Sequence, residues 1–487
     1  MISIKKHLSL FLGVIIILFF STLNNSLDLN RSNFYQSQSE AGMYKNENQF
    51  FYFNYYLNLF PLKSKINPTI DDLNKKSAEK KLIDSNNLIM EENHSIRFGG
   101  FFSHYLYYFD ALIFDNILNP NLKVFNIIFF NFSLILLFVG FYMNKKKELG
   151  LIFCFLLMSN PFQVFEVYKH ENIFGLMISI TLLMGSFFLI LKSLERNKRF
   201  ILFLIIYIVL LAIILNFFYY VRSNVLIFIF PFIISIFFFK TKIYSKIIST
   251  VFLIFFLSTT NYLFSNFIDN KINKTKNLIK SLDGKYLDVS YQVHERFFPL
   301  YVGLGEYKNN LNIGFWDDYV GNDFILESEN IDVSIIMSKK SHNSYNLHPV
   351  GFVDNFDEYF KDEIFRILKT DSTFFFKLLF NRISTSLNNL TPITFNFVIG
   401  NLYIENVLIS KMLLLIYFFI LIYWIKKKKM IEIYLSILFS TSLIYSVLFP
   451  PTLGLSYYII SHILFFSFLL FQIYKLINKK LTLKKYE

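Results

Sequence analysis

The dominant constraint in this chain is the recurrence of apolar runs, each about twenty residues long, rich in Phe, Ile and Leu and nearly free of charge. Coiled into a helix at about 1.5 Å of rise per residue, such a run crosses about 30 Å, the hydrocarbon thickness of a bilayer. The runs fall at about 7–23, 122–143, 149–165, 172–191, 200–220, 223–239, 247–268, 406–425, 431–449 and 453–474. A water-soluble chain of 487 residues needs more polar surface than a sequence 54% hydrophobic and 17% charged supplies. The sequence therefore predicts an all-α polytopic membrane protein with about ten transmembrane helices and a mostly helical extracytoplasmic loop domain. The third run contains Pro161 and is expected to kink or stop early. The first has no small-residue cleavage site and reads as an uncleaved anchor.

Orientation follows from the lysines. Lys5 and Lys6, Lys145–Lys147, Arg196 with Lys198 and Arg199, Lys240 with Lys242 and Lys246, Lys426–Lys429, and Lys479, Lys480, Lys484 and Lys485 alternate with the apolar runs. With ten spans all six clusters fall on one side, which the positive-inside rule makes the cytoplasm, with both termini. The expected location is the inner (plasma) membrane, with the lipid bilayer as surroundings. The net charge of +13 sits in these clusters, which encodes topology and excludes nucleic acid as the expected partner. The lone Cys154 lies inside an apolar run, so no disulfide holds the fold.

The resulting division is a first transmembrane helix (1–23), a first extracytoplasmic loop with interfacial helices (24–121) and transmembrane helices 2–7 (122–268). A large extracytoplasmic domain (269–405), transmembrane helices 8–10 (406–475) and a basic cytoplasmic tail (476–487) follow. Within the first loop, the charge-rich, low-complexity stretch Lys63–Glu92 is expected to be mobile. Its aromatic flanks, NQFFYFNYYLNLF and RFGGFFSHYLYYFDALIF, suit interfacial amphipathic helices. In the second tract, DEYFKDEIFRILKTDSTFFFKLLFNRISTSL has helical apolar spacing, with Asp371 as an N-cap.

Candidate chemistry gathers on the side facing away from the lysines. In the loop after the first run, Asp28, Glu40 and Glu47 are the early acids. A carboxylate just above the membrane can act as general base toward an acceptor hydroxyl; Glu40 is the first choice, with Asp28 and Glu47 as alternates, and each also reads as a solvated loop acid. The connection FEVYKHEN crowds Glu166, Lys169, His170 and Glu171 beside a helix end, a group suited to an anionic headgroup, a metal or a sugar, or to interfacial polarity alone. Arg222 stands between two apolar runs with almost no loop. It either snorkels or meets a lipid phosphate, for which its planar fork is apt. His462 lies within an apolar run, where helix–helix hydrogen bonding is the commoner role.

The stretch HERFFPLYVGLGEYKNNLNIGFWDD, His294 to Asp318, differs from its surroundings. It has neither dinucleotide nor P-loop spacing. Gly303 and Gly305 allow a tight turn, Tyr301, Tyr307, Phe315 and Trp316 offer flat faces for a sugar ring, and Glu306, Asp317 and Asp318 can accept sugar hydroxyls. The same aromatics equally suit the small core of an external subdomain.

The acid-bearing first loop, the many spans, the helix-end Arg222 and the late external domain together resemble the GT-C class of glycosyltransferases. Tyr301 to Asp318, LYVGLGEYKNNLNIGFWDD with its leading Leu300, is similar to a Y-x-GLG…N-x-x-G…W/Y-D-D pattern in bacterial membrane proteins grouped with that class. Those relatives often carry W-H just before the tyrosine, where this chain has Phe297 and Phe298, so that histidine's role is lost or passes to His294. Many members place an acidic pair in the first loop, and here no adjacent pair precedes Asp71. The resemblance implies transfer of a sugar from a polyprenyl-phosphate donor to an envelope glycan or glycolipid on the extracytoplasmic face. It implies an outward acid as base, Arg222 with Lys169 and His170 at the donor's phosphate, and His294, Tyr301, Glu306, Trp316, Asp317 and Asp318 on the acceptor side. The residues leave a divalent metal undetermined. An O-antigen polymerase or ligase, using Arg296, Arg366 and Arg382, is the alternative enzyme, and a transporter or flippase the non-enzymatic one.

Overall fold

The computed structural model describes residues 2–26, 56–59, 69–84, 102, 105–106, 113, 123–160, 164, 167–168, 174–221, 223–281, 300–301, 304, 356–389, 392–394, 397–399, 402–404, 407–409, 419–448, 467–475 and 477. The architecture is helical. Helices α1 (Ile2–Ser26), α2 (Lys75–Asp84), α3 (Lys123–Met143), α4 (Lys147–Met158), α5 (Phe174–Leu194) and α6 (Phe200–Tyr219) come first. After the 3₁₀ turns Ser223–Phe228 come α7 (Ile229–Phe237), α8 (Ile243–Ser281), α9 (Phe356–Thr370), α10 (Ser372–Asn389) and α11 (Met430–Leu448). Among the described residues, Leu8–Ser26, Lys123–Met143, Phe200–Tyr219 and Ile243–Thr275 are long and apolar enough to cross a membrane, and Ile178–Leu194 and Met430–Thr441 are shorter apolar helices.

Helix α3 is the hub, packing against α1, α4 and α5. It approaches α5 so closely that a Cβ on Gly140 would sit 2.7 Å from Leu189 Cβ; small residues permit this kind of contact between apolar helices. Helix α1 runs antiparallel to α3, since Gly13 lies against the Phe138 ring while Ser21 accepts a hydrogen bond from Asn131. The core between the helices is aromatic and aliphatic, with Phe130, Phe138, Phe141, Phe153, Phe188, Tyr434 and Leu438 fully buried. The outer faces of α1, α6 and α8 instead expose Phe11, Phe19, Ile201, Ile247 and Phe255, the distribution expected of surfaces whose solvent is lipid.

The basic turns gather at one end. Lys145, with φ 58°, caps α3: its N–H donates to Tyr142 O at 3.0 Å while Lys146 N–H donates to Phe141 O at 2.9 Å. Lys428, with φ 50°, repeats the arrangement after helix 419–426: its N–H donates to Ile425 O at 3.1 Å and Lys429 N–H to Trp424 O at 2.9 Å. These are Schellman caps with lysine at the left-handed position. Lys146 Nζ pairs with Glu432 Oε1, Asn144 donates to Leu189 O at 2.6 Å, Lys192 to Phe238 O at 2.7 Å, and Lys246 to Phe237 O at 2.9 Å. Lysine-bearing turns from 145–147, 192–199, 237–246 and 426–429 thus share one end, and the antiparallel α1 brings its start there too. The cluster 479–485 lies outside the described residues.

One detail follows the sequence reading and two depart from it. Helix α4 ends at Met158, before Pro161, as a chain lacking the proline N–H and crowded by its ring must. The run placed at 406–425 does not begin as a helix, because Val407–Ile409 pairs antiparallel with Pro392–Thr394, and Phe397–Ile399 with Leu402–Ile404 in the same register. Two residues, Gly400 and Asn401, separate the inner strands, and such a pair flanked by β-branched and aromatic residues is a hairpin signal that apolar length alone conceals. The stretch 63–92 contains a 3₁₀ turn at Ile70–Asp72 and helix α2, whose start is capped by Asn74 Oδ1 accepting from Ser77 N–H at 2.8 Å. Hydrogen bonds from the Thr69 hydroxyl and backbone, then Lys81, hold the Asp72 carboxyl down at about 2. Local capping, invisible to composition, defines residues 69–84.

Candidate functional site

The end of the bundle away from the basic turns carries buried polar side chains. Asn131 of α3 donates to Ser21 of α1 at 2.7 Å, and the Tyr168 hydroxyl donates to Ser21 Oγ at 3.1 Å. Asn24, near the end of α1, donates to Met158 O of α4 at 2.9 Å. On the other side of α3, Asn216 of α6 donates to Leu257 O of α8 at 2.9 Å, and the Tyr220 hydroxyl donates to Asn261 at 3.0 Å. A polar group in an apolar medium is costly unless bonded, so these pairings fix how α1, α3, α4, α6 and α8 meet.

Helix α8 is the scaffold of this end. Its 39 residues span about 58 Å at helical rise, roughly twice the hydrocarbon core. The sequence run at 247–268 ends where apolarity fades, yet the helix continues to Ser281. Described residues of the tract between α1 and α3 seat on α6 and α8. Phe102 stacks on Phe217 at 4.8 Å and packs edge-on against Phe264 at 5.0 Å, while its N–H donates to Tyr220 O at 3.1 Å. Lys271 donates to Asn58 O at 3.2 Å and to its side chain; Asn58 itself adopts φ 54°. Phe102 and Asn58 of the first loop are therefore docked on α6 and α8.

Of the glycosyltransferase candidates Tyr301 alone is described, while of the arginines of the alternative Arg366 pairs with Glu363 and Arg382 is buried. The Tyr301 ring lies 4.8 Å from Phe360 of α9 and is 8% exposed. Leu304, Phe360, Ile364 and Ile367 are buried as well, so Tyr301 belongs to the apolar side of this subdomain. Asp371 caps α10 as its position suggested, accepting from Phe374 N–H at 2.9 Å and Thr373 Oγ1 at 2.7 Å. Asp28, Glu40, Glu47, Lys169, His170, Arg222, His294, Glu306, Trp316, Asp317 and Asp318 lie outside the described residues, as does His462.

Their chain neighbours are informative. Asp28 follows α1 by two residues, Lys169 and His170 follow Tyr168 directly, and Arg222 is two residues after Tyr220. Ser21, Tyr168 and Tyr220 are anchored around the same half of α3: Phe130 meets Tyr168 at 6.1 Å, and its neighbour Phe129 stacks on Phe218 at 5.5 Å. Three connections that carry candidate residues thus leave the bundle at one end. Asn24, Asn131, Asn216 and Asn261 were passed over in the sequence, although asparagine within an apolar run is itself a signal for a paired interior position. Among the described residues no group of three or more His, Cys, Asp or Glu could hold a metal ion. Comparison with protein-family models, curated proteins and solved structures finds no match to this chain.

Proposed function

We propose that the chain is a membrane glycosyltransferase of about ten spans, with both termini cytoplasmic, acting at the outer face of the inner membrane. It moves a sugar from a polyprenyl-phosphate donor to an envelope glycan or glycolipid. The observation that supports this reading is the exit of the α1, Tyr168 and Tyr220 connections at one end of the bundle, opposite the lysine turns. In this reading Glu40 takes the acceptor's hydroxyl proton as its oxygen attacks the sugar's anomeric carbon. The bond to the phosphate breaks, and Arg222 with Lys169 and His170 stabilises the departing polyprenyl phosphate. The segment His294–Asp318 holds the acceptor through Glu306, Trp316, Asp317 and Asp318, with Tyr301 tying it to α9. No soluble nucleotide sugar has to reach the outer face.

The test is sugar transfer by purified protein in lipid nanodiscs, with a radiolabelled polyprenyl-phosphate sugar and extracted envelope glycan as acceptor. Glu40→Gln and Arg222→Ala should each lower turnover by at least about a hundredfold, as loss of a general base or a phosphate ligand does. Transfer of whole glycans from a polyprenyl diphosphate, with the monophosphate donor untouched, would replace this reading with the polymerase or ligase one. The buried Arg382 of α10 keeps that alternative open to test.

A further inference from the structure

At the basic end, helical stretches 419–426 and 467–475 lie side by side, held by the edge-to-face contact of Trp424 and Phe468, whose ring centroids are 4.4 Å apart. Between them opens a groove of about 330 Å³ lined by Phe419, Ile420, Tyr423, Trp424 and Gln472. Trp424 forms its buried floor, and Phe419 and Tyr423 are exposed at its walls. Such a lining of aromatic and aliphatic surface with few polar groups suits an acyl chain and offers little to a soluble polar ligand.

Charge is concentrated where the groove meets the basic end. Lys475 stands one helical turn beyond Gln472, with its ammonium 4.3 Å from the Phe471 ring. Lys426 stands one turn beyond Tyr423 and opens the run Lys426–Lys429. Lys429 and Lys475 are also near enough to Lys146 to oppose its charge, and that ammonium is paired with Glu432. Lys429 and Lys475 therefore add positive charge beside the Lys146–Glu432 ion pair. The excess is positive, and both Lys429 and Lys475 are exposed.

We propose that this groove binds an anionic phospholipid from the leaflet at the basic end. One acyl chain lies along Phe419, Tyr423 and Trp424, and the headgroup phosphate is held by Lys429 and Lys475. A zwitterionic headgroup carries its own cation beside the phosphate and meets repulsion from the same lysines, so the site selects net negative charge. The inference rests on membrane embedding alone and is independent of any glycosyl transfer.

The test uses the purified full chain in detergent, titrated separately with phosphatidylglycerol, phosphatidylcholine and inorganic phosphate, with bound lipid counted by native mass spectrometry. Phosphatidylglycerol should bind in preference to phosphatidylcholine, and inorganic phosphate should neither bind nor displace it. Replacing both lysines, Lys429→Gln with Lys475→Gln, should weaken the phosphatidylglycerol affinity about thirtyfold, from about 1 kcal/mol per surface lysine at about 1.4 kcal/mol per tenfold. Lys429→Arg with Lys475→Arg should restore it, and serves as the folded reference. Tyr423→Ala should weaken binding of both lipids together. Equal affinity for the two lipids, an unchanged affinity in the Gln variant, or displacement by inorganic phosphate would each overturn the proposal.

Discussion

Lys146 and Glu432, separated by 286 positions, form an ion pair that joins two lysine-capped helix turns. The Glu432 side chain is 9% exposed and that of Lys146 is 20% exposed, so the pair is largely withdrawn from water. Burial, with repulsion from Lys475 and Lys429, pushes the Lys146 ammonium below its ordinary value in spite of Glu432.

Glu432→Gln should therefore destabilise the protein by about 2–3 kcal/mol, the cost of leaving a buried cation without its counterion. The sign of the pH response follows from the lowered value. Between the folded and unfolded pKa values the unfolded chain holds more protons, so this lysine's penalty is full at low pH and relieved as pH rises. Thermal unfolding in detergent should show a steeper alkaline gain in Glu432→Gln than in the native protein. The double change Lys146→Gln with Glu432→Gln should abolish that extra slope; a slope surviving in the double variant would show that another group is responsible.

Gly140→Ala should lower stability by about 1–3 kcal/mol, because the new Cβ meets Leu189 Cβ at 2.7 Å and Ser186 O at 3.3 Å. Neither atom is the far end of a flexible side chain, so α3 and α5 must separate. Pairing Gly140→Ala with Leu189→Gly, which removes the Cβ that is met, should recover part of the loss in a double-mutant cycle. Additive losses would mean that the close approach of these helices is not what Gly140 permits.

Lys428→Gly should stabilise the protein by about 0.5–1 kcal/mol. A lysine at φ 50° bears left-handed strain that glycine does not, and this outweighs glycine's extra freedom in the unfolded chain. Lys427→Gly, outside the left-handed position, should do the reverse. A comparison of unfolding midpoints decides, and equal shifts in the two variants would refute the assignment of strain.

Asp371→Ala should fray the start of α10. The Thr373 hydroxyl and Phe374 N–H both donate to its carboxylate and hold its pKa below the ordinary value. The cap's contribution is fully present above the ordinary carboxylate value and is lost as pH falls through the lowered one. Protection of the Phe374 amide, measured against its intrinsic exchange rate at each pH, should fall in the variant at neutral pH, and in the native protein only in acid. Unchanged protection in both would mean that other contacts fix this helix start.

Much of the frame was legible in the sequence because its signals are local. Apolar runs of membrane length, lysines between them, proline at the end of α4 and aspartate at the start of α10 each act within a few residues of their position in the chain. The hairpin at 392–409 was legible in kind, from the Gly400–Asn401 pair between β-branched and aromatic residues, but was hidden by counting apolarity alone.

What only the tertiary structure decided are the pairings between distant segments. Sequence placed Asn131 and Asn216 inside apolar runs and Asn24 just past one, but their partners at Ser21, Leu257 and Met158 depend on which helix faces meet. Likewise Lys146 has several acids to choose from along the chain, and packing of α11 beside the α3–α4 turn selects Glu432. Beyond its apolar run, helix α8 is met by Asn58, which accepts from Lys271. Hydropathy and capping are set by neighbours along the chain, whereas the convergence of three connections at one end is set by packing between helices far apart in sequence.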